Sequence, residues 1–90
     1  MVPQNQLELF RDALLRALKA ARSSGFNLSN LEIALRASGF RHFTTAELEG
    51  ELGYFADKGF VAENPKSHTV GNRIWRITAA GIDDLEERGL

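Results

Sequence analysis

The residues of this 90-residue chain best suited to chemistry are three cations set around a turn: Lys66, Arg73 and Arg76. They flank the turn-rich loop Pro65-Lys66-Ser67-His68-Thr69-Val70-Gly71, between two β-like segments. Cations presented this way suit phosphate, because each neutralised phosphate releases a condensed counterion. The same three charges also fit a solvated hairpin with no ligand. Other chemistries have less to stand on. Without cysteine there is no disulfide, thiol nucleophile or cysteine–zinc site. The two histidines, His42 and His68, lack a closely spaced carboxylate pair to complete a metal site. No Gly-x-Ser-x-Gly elbow, phosphate loop or dinucleotide fingerprint occurs. The expectation is a non-enzyme with no metal and no cofactor.

Ninety residues suffice for one hydrophobic core, so residues 1–90 are expected to form a single domain. Apolar content of 43% and charged content of 26% are those of an ordinary soluble chain. No apolar run approaches the roughly 18–20 residues that span a bilayer, and no charged-then-apolar leader opens the sequence. A cytoplasmic location with no membrane partner is expected. The net charge of −1 conceals a sorting, with residues 1–43 and 65–77 net basic and residues 44–64 and 78–90 net acidic. Such a pattern predicts surface poles able to steer a partner.

Periodicity supplies the elements that would position these charges. A first helix is expected from Gln4 to Arg22, with Pro3 near its start and Leu7, Phe10, Leu14 and Leu18 as its apolar stripe. Leu9 lies off that stripe, which suits either a central helix packed on two sides or a dimer contact. Leu28-Ser29-Asn30-Leu31-Glu32-Ile33 reads as a capping box, Ser29 with Glu32, inside a Leu28–Ile33 staple. Phe43-Thr44-Thr45-Ala46-Glu47-Leu48 repeats that grammar with Thr44 and Glu47. Glycines at 39 and 59 are expected to stop the second and third helices. The third, Thr44–Lys58, buries Leu48, Leu52, Phe55 and Ala56. Strands over Phe60–Asn64 and Asn72–Ile77 follow, with Trp75 and Ile77 inward and Ile74 and Arg76 outward. A last helix covers Ala79–Arg88 after Thr78, with Ile82 and Leu85 inward and its acids facing solvent or a basic surface of a second subunit. A short extra strand is expected near Gly25–Leu28.

This order of elements resembles the winged-helix superfamily, in its MarR- and PadR-type pattern. The resemblance rests on Glu47-Leu48 and Glu51-Leu52, on Asp57-Lys58-Gly59-Phe60-Val61, and on Trp75-Arg76-Ile77-Thr78-Ala79-Ala80-Gly81-Ile82, which looks like the hydrophobic–Thr–x–x–Gly exit into the final helix. It covers roughly residues 29–88 and is more specific for fold than for function. The chain also looks similar to small winged-helix proteins of Mu-like prophages. The fold implied is mainly α with a small β-hairpin, a winged helix-turn-helix ordered helix–helix–helix–strand–strand–helix.

The function that the resemblance implies is binding of double-stranded DNA, as a dimeric transcriptional regulator or a phage-encoded DNA-associated factor. The third helix would then enter the major groove through Glu47, Gly50, Glu51, Tyr54 and Lys58, and the wing would contribute Lys66, His68, Arg73 and Arg76. Arg41 and His42 would anchor the helix start to phosphate. Four acids against one base on that helix run counter to this, since base readout favours Arg, Lys, Asn and Gln. The alternative is a winged-helix protein–protein interaction module. Ala46, Gly50, Gly53 and Asp57 share one side of the third helix, with Tyr54 beside them, and each interior glycine costs about 1 kcal/mol relative to alanine. Those glycines serve either a crossing by the second helix or a partner docked close to the backbone.

Overall fold

The computed structural model describes residues 2–21, 24–64 and 73–90. The expected basic loop, with Lys66 and His68, therefore lies outside the described residues. The chain is mainly helical with a small three-stranded antiparallel sheet. A 3-10 turn at Gln4–Gln6 leads into α1 (Leu7–Ala21), followed by β1 (Phe26–Asn27), α2 (Leu28–Ala37), α3 (Thr45–Asp57), β2 (Val61–Glu63), β3 (Ile74–Ile77) and α4 (Ala79–Glu87).

The first helix begins later than its periodicity suggests, because Gln4–Gln6 close a tighter turn behind Pro3. It then runs through the middle of the molecule, against α2, β3 and α4. Phe10, Leu14 and Leu18 are fully buried, as the stripe predicts, and Leu15 joins them. A helix that buries four large side chains over so wide an arc is packed on more than one side. Leu9 faces solvent.

Two features of α2 differ from the sequence reading. Its N-cap is Asn27, whose side chain accepts from the Asn30 N–H at 2.8 Å, and Ser29 lies inside the helix. Because the cap lies two residues earlier, Glu32 is not at the reciprocating position and instead accepts from the Thr45 hydroxyl at 2.6 Å, tying α2 to α3. The expected Leu28–Ile33 staple fails for the same reason, and Ile33 is 67% exposed. At the start of α3 the capping box forms as read, with Thr44 as N-cap and Glu47 as its partner.

Both helix stops fall where the glycines predict. After α2 the Phe40 N–H donates to the Leu35 carbonyl and the Gly39 N–H to Arg36, and after α3 Phe60 donates to Phe55 and Gly59 to Ala56. These are Schellman closures, and the positive φ of Gly39 (101°) and Gly59 (79°) is the backbone state they need. The apolar residue after each glycine, Phe40 or Phe60, packs against the core.

The sheet has the order β1-β3-β2. Val61 pairs with Ile77, Ala62 with Arg76 and Glu63 with Trp75, while Phe26 and Asn27 pair with Trp75 and Ile74 across the other edge of β3. The extra strand expected near Gly25–Leu28 is thus β1. Alternation puts Ile77, Val61, Trp75 and Phe26 on the core side and Arg76 on the other.

The exit from β3 explains the Thr-x-x-Gly signature physically. The Thr78 hydroxyl donates to the Gly59 carbonyl at 2.6 Å and accepts from the Gly81 N–H at 3.2 Å, while the Thr78 N–H donates to the Phe60 carbonyl at 2.9 Å. Gly81 is buried so close to that Phe60 carbonyl that a Cβ would lie inside van der Waals contact. Thr78 and Gly81, with Gly59 and Phe60, therefore join the end of α3, the sheet and α4. Gly81→Ala is expected to lose about 1–3 kcal/mol by overpacking, despite the better helix propensity of alanine. Thr78→Ala is expected to lose about 1 kcal/mol through the lost cap. Urea denaturation monitored by circular dichroism reads both.

Candidate functional site

The helix expected to carry contacts, α3, is fixed at its start by a carboxylate. Glu47 accepts from the Thr44 N–H at 3.1 Å and from the Val2 N–H at 3.2 Å, and its own N–H donates to the Thr44 hydroxyl at 3.1 Å. Desolvation pushes the Glu47 carboxyl up, but the N–H donors of Val2 and Thr44 outweigh it and hold the group below its ordinary value of 4.5. Glu47 is therefore engaged with the backbone of its own chain.

Glu51 is likewise turned inward. It accepts from Arg11 Nε at 2.6 Å, with both side chains largely covered. That charge-assisted bond raises Arg11 above its ordinary value. The Arg11 guanidinium lies 4.1 Å from the centroid of Tyr54, and Lys58 Nζ lies 5.1 Å from the same ring on its way to Phe60. Both acids that the resemblance assigns to the groove-facing side thus have partners within the chain: Glu47 is a cap and Glu51 is half of an α1–α3 ion pair. Tyr54, 38% exposed, is held between two cations.

The outer face of α3 consists of Ala46, Glu49, Gly50, Gly53 and Asp57, all exposed. A Cβ built on Gly50 or Gly53 meets nothing within 4 Å. The second helix does not cross here, so packing among the described residues gives no reason for either glycine.

The hairpin cations separate. Arg73 Nε sits 3.2 Å from Glu63 Oε1, on the Trp75 side of the ribbon, whereas the Arg76 side chain points to the opposite side and has no hydrogen-bond or ion-pair partner among the described residues. Arg41 and His42 are exposed in the turn between α2 and α3, and the Arg41 carbonyl accepts from Arg36 at 3.5 Å. The described cations of the expected DNA face are therefore spread over both ends of α3 and both sides of the ribbon. No group of three or more metal-ligating side chains occurs among the described residues, and no described helix is long and apolar enough to cross a membrane.

A second surface was not anticipated as a site. Between α1 and α2 lies an open groove of about 690 Å³, floored by Ala13, Ala17, Ala34, Phe26 and Phe40, with Leu9 at its edge and Arg16 on its wall. Leu9 standing off the buried stripe was its one signal in the sequence. The ion pairs Arg11–Glu51 and Arg88–Asp12 had no local signal, because 40 and 76 residues separate the partners.

No protein-family model matches the chain, and no curated protein or solved structure matches it significantly.

Two expected outcomes follow from α3. Gly50→Ala and Gly53→Ala should each raise stability by up to about 1 kcal/mol, since the new methyl meets open space and the helix gains propensity; thermal melts measure this. Glu47 has a depressed carboxyl, so its stabilisation is complete above 4.5 and is lost as pH falls through the depressed value. The urea midpoint should accordingly drop more between pH 6 and pH 3 for the native chain than for Glu47→Gln.

Proposed function

We propose that the chain is a non-catalytic protein-interaction domain of winged-helix type. Three helices, a β2–β3 ribbon with β1 added on the far edge of β3, and a closing α4 support the winged-helix reading. One observation carries the functional reading: the outer face of α3 offers Ala46, Glu49, Gly50, Gly53 and Asp57, with neither a cation nor a side-chain amide. Placed in a major groove, that face would set two carboxylates against a phosphate-lined channel with no donor to read a base edge. The cations near it are occupied: Arg11 holds Glu51, and Lys58 lies over Tyr54 and Phe60. The molecule does expose bulky apolar side chains, Leu9 and Ile33, of the kind that partners bury.

Binding of DNA through the ribbon alone is the second reading, favoured by Arg76, which has no acidic partner among the described residues. In that case α3 is a support and the outer side of β3 follows phosphate, as a DNA-associated factor or regulator would use it. A salt titration on a nonspecific 20-base-pair duplex discriminates the two. The interaction reading expects no complex at about 20 mM salt, where cation–phosphate attraction is least screened. A complex whose log affinity falls by about 0.9 per log unit of salt for each phosphate contact, with that slope reduced by about 1 in Arg76→Ala, would establish the DNA reading in its place.

A further inference from the structure

We propose that the open groove between α1 and α2 binds an amphipathic helix that carries acidic residues beside its apolar stripe. The inference rests on the protein-interaction reading and names the partner's chemistry. The floor of the groove suits a helix: Ala13 and Ala17 on α1 and Ala34 on α2 leave room for another backbone at the 8–10 Å interaxial distance of packed helices, and Phe26 and Phe40 supply apolar depth. Leu9, 58% exposed at the edge, is placed to close over an incoming side chain.

Charge selects the occupant. Arg16 is the one charged residue lining the groove among the described residues, and an adjoining depression is formed by Arg16, Lys19, Ala20 and Leu90. Neither side chain, Arg16 or Lys19, has a hydrogen bond or ion pair with any described residue. The other cation of α1 behaves oppositely, since Arg11 is bound by Glu51 and lies near Glu8. On one helix, then, the cation on the packed side is neutralised internally and the two beside the groove are left for something else. A second copy of the chain fits poorly. Pairing groove on groove would add Arg16 and Lys19 of one copy to the same charges of the other, with no acid from either groove to answer them. An acidic helix meets both cations.

The test uses two fluorescein-labelled synthetic helices of about 18 residues, identical in their leucine stripe, with either glutamate or lysine flanking it. Anisotropy titration against the full chain should show the glutamate peptide binding at least about tenfold more tightly, as two surface ion pairs allow. Arg16→Glu/Lys19→Glu should reverse that preference, and Leu9→Ser should weaken the glutamate peptide without changing the melting temperature. Equal affinity for the two peptides, or no binding of either at about 0.5 mM, overturns the inference. So does a dimer in sedimentation velocity that Leu9→Ser dissociates while the glutamate peptide fails to bind, which would make the second copy the occupant. A duplex complex in the salt titration brings down the protein-interaction reading itself; absence of that complex together with peptide failure brings down the groove inference alone.

Discussion

Everything in this molecule is referred to α1. Its four fully buried side chains, Phe10, Leu14, Leu15 and Leu18, face α2, the sheet and α4 at once. A ninety-residue chain has one core to build, and without disulfides that core has to come from packing. The wide apolar arc of α1 meets this demand by serving several neighbours. What remains of its surface is narrow, and it is divided between a charged edge, where Arg11 and Asp12 reach α3 and α4, and the small-residue edge beside α2. The functional surfaces are by-products of how α1 is shared.

The parts of the fold legible in the sequence are those decided over a few residues. Thr44 with Glu47, the glycines at 39 and 59, the alternation through Trp75 and Ile77, and Thr78 as a cap all follow from contacts within about one turn. The second helix shows where this reasoning fails. Asn27 and Ser29 are both competent caps, two residues apart, and local grammar favoured Ser29 because Glu32 stood three residues on. Tertiary structure decided otherwise: β1 pairs Asn27 with Ile74, leaving its side chain beside the helix start, and Glu32 is drawn off by Thr45.

The site was less legible than the fold for a related reason. Charge sorted along the chain predicts poles on the surface, but folding brings segments of opposite sign together. The acids of residues 44–64 are largely engaged: Glu47 by backbone N–H groups, Glu51 by Arg11 and Glu63 by Arg73. In α4, Asp84 is held by Arg88, which also reaches Asp12 and is raised above its ordinary value by these two carboxylates, Asp12 first. The chain therefore uses much of its sorted charge as internal ties between helices. Side chains that the sequence groups as one acidic helix point in different directions, and only Glu49 and Asp57 remain on the outer face.

That redistribution changes what each surface can recognise. A helix covered with acids would repel a polyanion and attract a basic partner; α3 as folded keeps Glu49 and Asp57 outward, enough to oppose phosphate, beside an outermost line of Ala46, Gly50 and Gly53. On α1, unanswered charge stands beside apolar surface, where Arg16 and Lys19 adjoin an apolar trough. Apolar area supplies most of the free energy of association, and a flanking charge supplies direction and discrimination. Both occur together beside α1, away from the helix through which winged-helix proteins would be expected to read DNA. The architecture resembled from sequence and the chemistry of its surface thus point to different uses, and the chemistry, being set by side chains rather than by the order of elements, is the better guide to function.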